Sequence, residues 1–129
     1  MPAQPPFAYR ALRTVLLWPP IARPGYWFAT GVAYVWGAIL SRHLPKLTNG
    51  VYLASGCPAW AFGRGGTTVG AVYLTRDNDA QPVLEHESVH RQQWKHYGLA
   101  FIPLYVRAGS AAQNNRFEIA AGLAKGGYA

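Results

Sequence analysis

The segment Ala80-Gln81-Pro82-Val83-Leu84-Glu85-His86-Glu87-Ser88-Val89-His90-Arg91-Gln92-Gln93-Trp94-Lys95-His96-Tyr97 decides how this chain is read. Pro82 is tolerated in a first turn and Gly98 is a stop signal, so the segment predicts one helix from about Ala80 to Tyr97. Arg76-Asp77-Asn78-Asp79 supplies N-cap candidates before it. Val83, His86, His90, Trp94 and Tyr97 follow the three-four spacing of a single helical face, which is expected to point inward. Leu84, Glu85 and Arg91 are expected to point elsewhere.

On such a face His86 and His90 lie about one turn apart, so their imidazoles can converge on a single ion. Glu87 leans over the same ion without having to bind it. It can take a proton from a metal-bound water and pass it to a leaving amine. Zinc suits this chemistry because it lowers the pKa of bound water to near 7 and polarises a scissile carbonyl. The competing reading is a core histidine pair, with Glu87 paired to Arg91 one turn on.

A catalytic zinc needs three protein ligands and an open position. Glu118, in Asn115-Arg116-Phe117-Glu118-Ile119-Ala120-Ala121, is the first candidate for the third ligand. The gap after His90 is long enough for a second helix to return alongside the first. Asn115 and Glu118 also read as an N-cap and its partner three residues on. His96 is the second candidate, but on a continuous helix it points about 120° away from His90. Met1 is the only methionine, so a methionine turn beneath the metal is excluded.

Upstream, Asn49-Gly50 signals a turn, Val51–Ala54 a short strand, and Thr67–Thr75 a longer one rich in β-branched and aromatic residues. Gly63-Arg64-Gly65-Gly66 is loop-like and lacks the Lys-Ser/Thr element of a phosphate loop. Downstream, Pro103 interrupts Leu99–Val106, and a last helix is expected over roughly Asn115–Lys125. The class is therefore α+β: a small sheet or hairpin, then the His-Glu helix, then a C-terminal helix, all within residues 48–129.

Residues 1–47 form a separate basic and apolar helical segment. Pro19-Pro20 are expected to stop a helix over Phe7–Trp18, and Gly25–Leu40 to form a second, uncharged one. Sixteen helical residues span about 24 Å, short of a bilayer core of roughly 30 Å. Ala29, Ala33 and Gly37 make a small-residue stripe that lets another helix approach. Tyr26, Trp27, Tyr34 and Trp36 resemble interfacial anchors. The segment is read either as a core helix or as membrane-associated.

Composition agrees with a single domain of 129 residues. Only 13% of residues are charged, against roughly 25% in an average soluble domain. The net charge is +7, and residues 1–76 carry seven Lys or Arg and no acid. That asymmetry suits an anionic membrane surface or a nucleic acid, but no nucleic-acid motif is present and no nucleic-acid partner is expected. Cys57 is the only cysteine, so an internal disulfide is excluded. The early prolines do not read as a signal peptide, which leaves a cytoplasmic or membrane-associated location as the expectation.

With these residues in view, the chain resembles the zincin metallopeptidases, and more closely their gluzincin branch. It is also similar to small bacterial proteins in which a Thr-x-Gly-rich strand precedes the motif, a Gln-Trp/Tyr element follows it and an Asn-x-Phe-Glu segment comes later. Here those elements are Thr68-Val69-Gly70, Gln93-Trp94 and Asn115-Arg116-Phe117-Glu118, so the likeness covers about residues 65–121. It implies a minimal zincin-like fold, His86, His90 and Glu118 as zinc ligands, Glu87 as base, and a peptide or protein substrate added along Thr67–Thr75. No transition-state stabiliser is assigned; Tyr97, Tyr105, His96 and Arg107 are the candidates. A non-catalytic zinc module and a basic membrane adaptor are the alternatives, and the oligomeric state is left open.

Overall fold

The computed structural model describes residues 19–128. The helix expected over Phe7–Trp18 lies outside them. The order is α1 (Pro19–Ser41), β1 (Lys46–Thr48), β2 (Val51–Ala54), β3 (Thr67–Val69), β4 (Val72–Leu74), α2 (Gln81–Tyr97), α3 (Phe101–Arg107) and α4 (Arg116–Ala121). The fold is α+β with a mixed four-stranded sheet ordered β1-β2-β4-β3. β2 and β4 run parallel, and the two outer pairs are antiparallel.

Both hairpins are set by their turn residues. Asn49 and Gly50 have φ of 47° and 92°, the paired positive angles of a type I′ turn between Thr48 and Val51. The single strand expected over Thr67–Thr75 is instead a hairpin, because Gly70 (φ 60°) opens a two-residue turn between Val69 and Val72. A positive φ at the first turn position fits type II′, which glycine enters without steric cost. Gly70 also lies against α1: a Cβ there would sit 2.7 Å from the Thr30 backbone nitrogen.

Pro19 and Pro20 stand in the first turn of α1, where the amides have no intrahelical partner to lose. Pro24 lies inside the helix. α1 packs its small face inward, burying Ala22, Tyr26, Ala29, Thr30, Ala33 and Gly37. Tyr26 and Ala29 join Ala71, Trp94, Phe101 and Phe117 in one core cluster, while Ala33 joins Ala54, Cys57, Val72 and Leu74 in another. No helix among the described residues is long and apolar enough to cross a membrane.

α2 has the predicted length, but its N-cap is Ala80, with no side-chain cap from the Arg76–Asp79 stretch. Leu84 is buried, contrary to its expected outward orientation, because it packs with Val51, Tyr73 and Val83 under the sheet. Tyr97 is only half-buried. Gly98 (φ 61°) caps α2 where a Cβ would strike the Ala22 carbonyl. α4 is shorter than expected, six residues ending at Gly122 (φ 99°).

Gly70→Ala is expected to lower the unfolding free energy by at least about 1–3 kcal/mol, the cost of a strained φ, with the clash against α1 added. Urea denaturation followed by circular dichroism measures it; an unchanged midpoint would refute this account of the turn.

Candidate metal centre

α2 presents His86 and His90 one turn apart, and both rings are buried. Their Nε2 atoms are 3.1 Å apart. Glu118 Oε1 from α4 lies 3.0 Å from His86 Nε2 and 2.5 Å from His90 Nε2. The expected convergence of two rings and one carboxylate is therefore present, and the three side chains form a buried group that can hold a metal ion.

The far sides of the rings decide which atoms face that point. His86 Nδ1 lies 2.7 Å from the Gly122 carbonyl, which can only accept, so Nδ1 carries the proton. His90 Nδ1 lies 2.8 Å from Gln93 Oε1. Gln93 is oriented by its Nε2, which donates to the Phe117 carbonyl at 3.0 Å, so its oxygen faces His90. In their neutral forms both imidazoles therefore turn an Nε2 lone pair toward the carboxylate. Three lone-pair donors around one point fit a divalent cation, and outer partners that fix the tautomer are characteristic of metal-binding histidines.

Glu118 is held at both oxygens. Oε2 accepts from Arg64 Nη1 at 2.5 Å and from the Tyr105 hydroxyl at 2.6 Å, leaving Oε1 for the histidines. Burial alone would raise its pKa, but the histidines and Tyr105 outweigh that and hold it well below the usual carboxylate range. Burial likewise works against a charged His86, yet Glu118 and the Gly122 carbonyl raise its pKa above the ordinary value. Asn115 caps α4, its Oδ1 accepting from the Phe117 and Glu118 amides. Both sequence readings of Glu118 thus apply in part: the cap is real, and the carboxylate turns to the histidines instead of back to its own helix.

Glu87 is buried and accepts from Thr68 Oγ1 at 2.6 Å. Burial in particular pushes its pKa up, against the lowering effects of His90 and Thr68. Its predicted alternative partner is engaged elsewhere: Arg91 donates to the Tyr26 hydroxyl and the Gly50 carbonyl. Glu87, His90 and Glu118 line a cavity of about 380 Å³ together with Thr68, Trp94 and Tyr105. That volume falls within the range of small-ligand sites.

Other candidates separate clearly. His96 is exposed and outside the cluster. Of the four stabiliser candidates only Tyr105 lines the cavity; Tyr97, His96 and Arg107 do not. Sequence reasoning missed Arg64, Tyr128 and the role of Gln93. Arg64 has a left-handed φ of 56° and bonds Glu118, Tyr105 and the Ser110 carbonyl, with its guanidinium over the Tyr128 ring. A non-glycine residue flanked by glycines in a loop was the only available signal. Comparison with protein-family models, curated proteins and solved structures found no match.

Two outcomes follow for metal binding. Gln93→Leu removes the support of His90 and is expected to weaken the affinity for a divalent cation about 10–100-fold while the fold is kept, as measured with zinc as the probe in competition with a chelating dye. Affinity should also rise with pH: the metal competes with the proton that Glu118 stabilises on His86, and that proton is lost only above the ordinary imidazole pKa of about 6.5. An affinity flat from about pH 6 to 8 would contradict the sign.

Proposed function

We propose that this protein is a zinc-dependent hydrolase of the zincin type, acting on peptide or related amide bonds. The observation that carries the reading is the meeting of His86 Nε2, His90 Nε2 and Glu118 Oε1, with Glu87 on the wall of the same cavity. His86, His90 and Glu118 would hold the ion. Zinc supplies a Lewis acid and brings the pKa of a coordinated water near neutrality.

The chain's own residues supply the rest. Glu87 is the general base: its burial favours proton uptake, and the Thr68 hydroxyl fixes its orientation. Arg64 and Tyr105 hold Glu118 by Oε2, so the ligand oxygen is chosen in advance. Trp94, Phe101 and Ile102 give the cavity apolar walls.

β3 is an edge strand of the sheet and lies along the cavity. The narrow Val69–Val72 pair beside the turn directs the Thr68 amide and carbonyl to the open edge. Trp94 Nε1 already donates to that carbonyl at 3.0 Å. An extended substrate would therefore gain the Thr68 amide but not the Thr68 carbonyl, a restricted form of strand addition.

Elemental analysis of the purified chain beside His86→Ala, Glu118→Ala and Glu87→Gln tests the reading, together with hydrolysis of a mixed peptide library. Stoichiometric zinc is expected in the parent and in Glu87→Gln, and loss of it in the other two. Turnover in Glu87→Gln should fall at least about 100-fold. Zinc retention with no hydrolysis by the parent would favour a non-catalytic zinc module; no zinc at all would end both readings.

A further inference from the structure

We propose that the outer face of α1 docks on an anionic membrane surface, with the helix lying along the bilayer plane. The helix inverts the usual arrangement of side chains. Its small residues pack on the domain, while Trp27, Phe28, Val32, Val35, Trp36 and Ile39 stay 44–65% exposed. These six line one shallow groove, and Trp60, itself 72% exposed, extends it by packing edge-on to Trp36. None of them lines the metal-site cavity.

The geometry favours lying on the membrane over crossing it. One face of α1 is committed to Ala71, Trp94 and Phe101, so lipid cannot surround the helix. Its hydropathy also falls short of a span. An in-plane helix with an apolar face and aromatic residues at headgroup depth is the arrangement that lipid interfaces accept.

Charge selects the partner. Arg23 stands one turn before Trp27 on the 23-27-31-35-39 row, and Arg42 follows the last turn; both are exposed. No Asp or Glu occurs anywhere in residues 1–76. A second copy docked on this face would bring like charges together with no acid from the same region to offset them. Anionic headgroups supply the missing countercharge at both ends of the stripe.

The test uses the full chain with vesicles of phosphatidylcholine alone or mixed with phosphatidylglycerol. Sedimentation with the mixed vesicles is expected, weakened by salt and accompanied by a blue shift in tryptophan emission. Phe28→Ser/Val35→Ser/Ile39→Ser should lose at least about tenfold in partitioning, because the buried apolar area sets the affinity. Arg23→Glu/Arg42→Glu should lose the preference for the anionic vesicles. Circular dichroism checks that both variants stay folded. The proposal is overturned if the folded parent ignores the mixed vesicles, or if the serine variant binds them equally well. It is also overturned if the parent forms a dimer that the serine variant abolishes and does not bind vesicles. None of these outcomes depends on zinc or on hydrolysis.

Discussion

Two imidazole nitrogens and a carboxylate oxygen meet at 2.5–3.1 Å in a buried setting, and each turns a lone pair inward when the rings are neutral. Such a cluster is unfavourable unless a cation or a shared proton sits between the donors. Its persistence depends on outer contacts: the Gly122 carbonyl and Gln93 fix the rings, while Arg64 and Tyr105 fix the carboxylate. Gly126 adds a steric condition, because a Cβ there would come within 2.6–3.0 Å of the His86 ring. Removing one partner of a buried charge such as Glu118 costs about 3–5 kcal/mol.

The fold brings these elements together from four parts of the chain. α2 contributes the rings, α4 the carboxylate, the glycine-flanked loop Arg64, and α3 Tyr105. The sheet joins them through β3, where the Thr68 hydroxyl holds Glu87 and the Thr68 carbonyl receives Trp94. Gly70, beside β3, permits α1 to approach, so this helix buttresses the strand that supports Glu87. The Thr30 hydroxyl completes that contact by accepting from the Ala71 amide.

α1 carries two tasks on opposite faces. Its small residues allow the close approach that the sheet requires, since a Cβ at Gly37 would lie 2.9 Å from both Ala54 and Leu74. Apart from Tyr26, which is buried in the core, its large residues lie mostly on the outer side. The outer stripe is apolar by sequence, and with no acid in residues 1–76 it is edged by Arg23 and Arg42.

The sequence alone determined the elements whose information is local. The Asn-Gly turn, the extent of α2 and the one-turn spacing of its histidines follow from turn propensities, caps and helical periodicity. Other features were decided only by tertiary structure. The split of residues 67–75 required Gly70 to meet α1, and the burial of Leu84 required the sheet beneath it. Helical spacing already turned His96 away and put Glu118 first, but its meeting with the two rings, and the part played by Arg64, depended on which helix and which loop return to α2. Periodicity reports which residues share a face of one element; it carries no information on which element comes to cover that face.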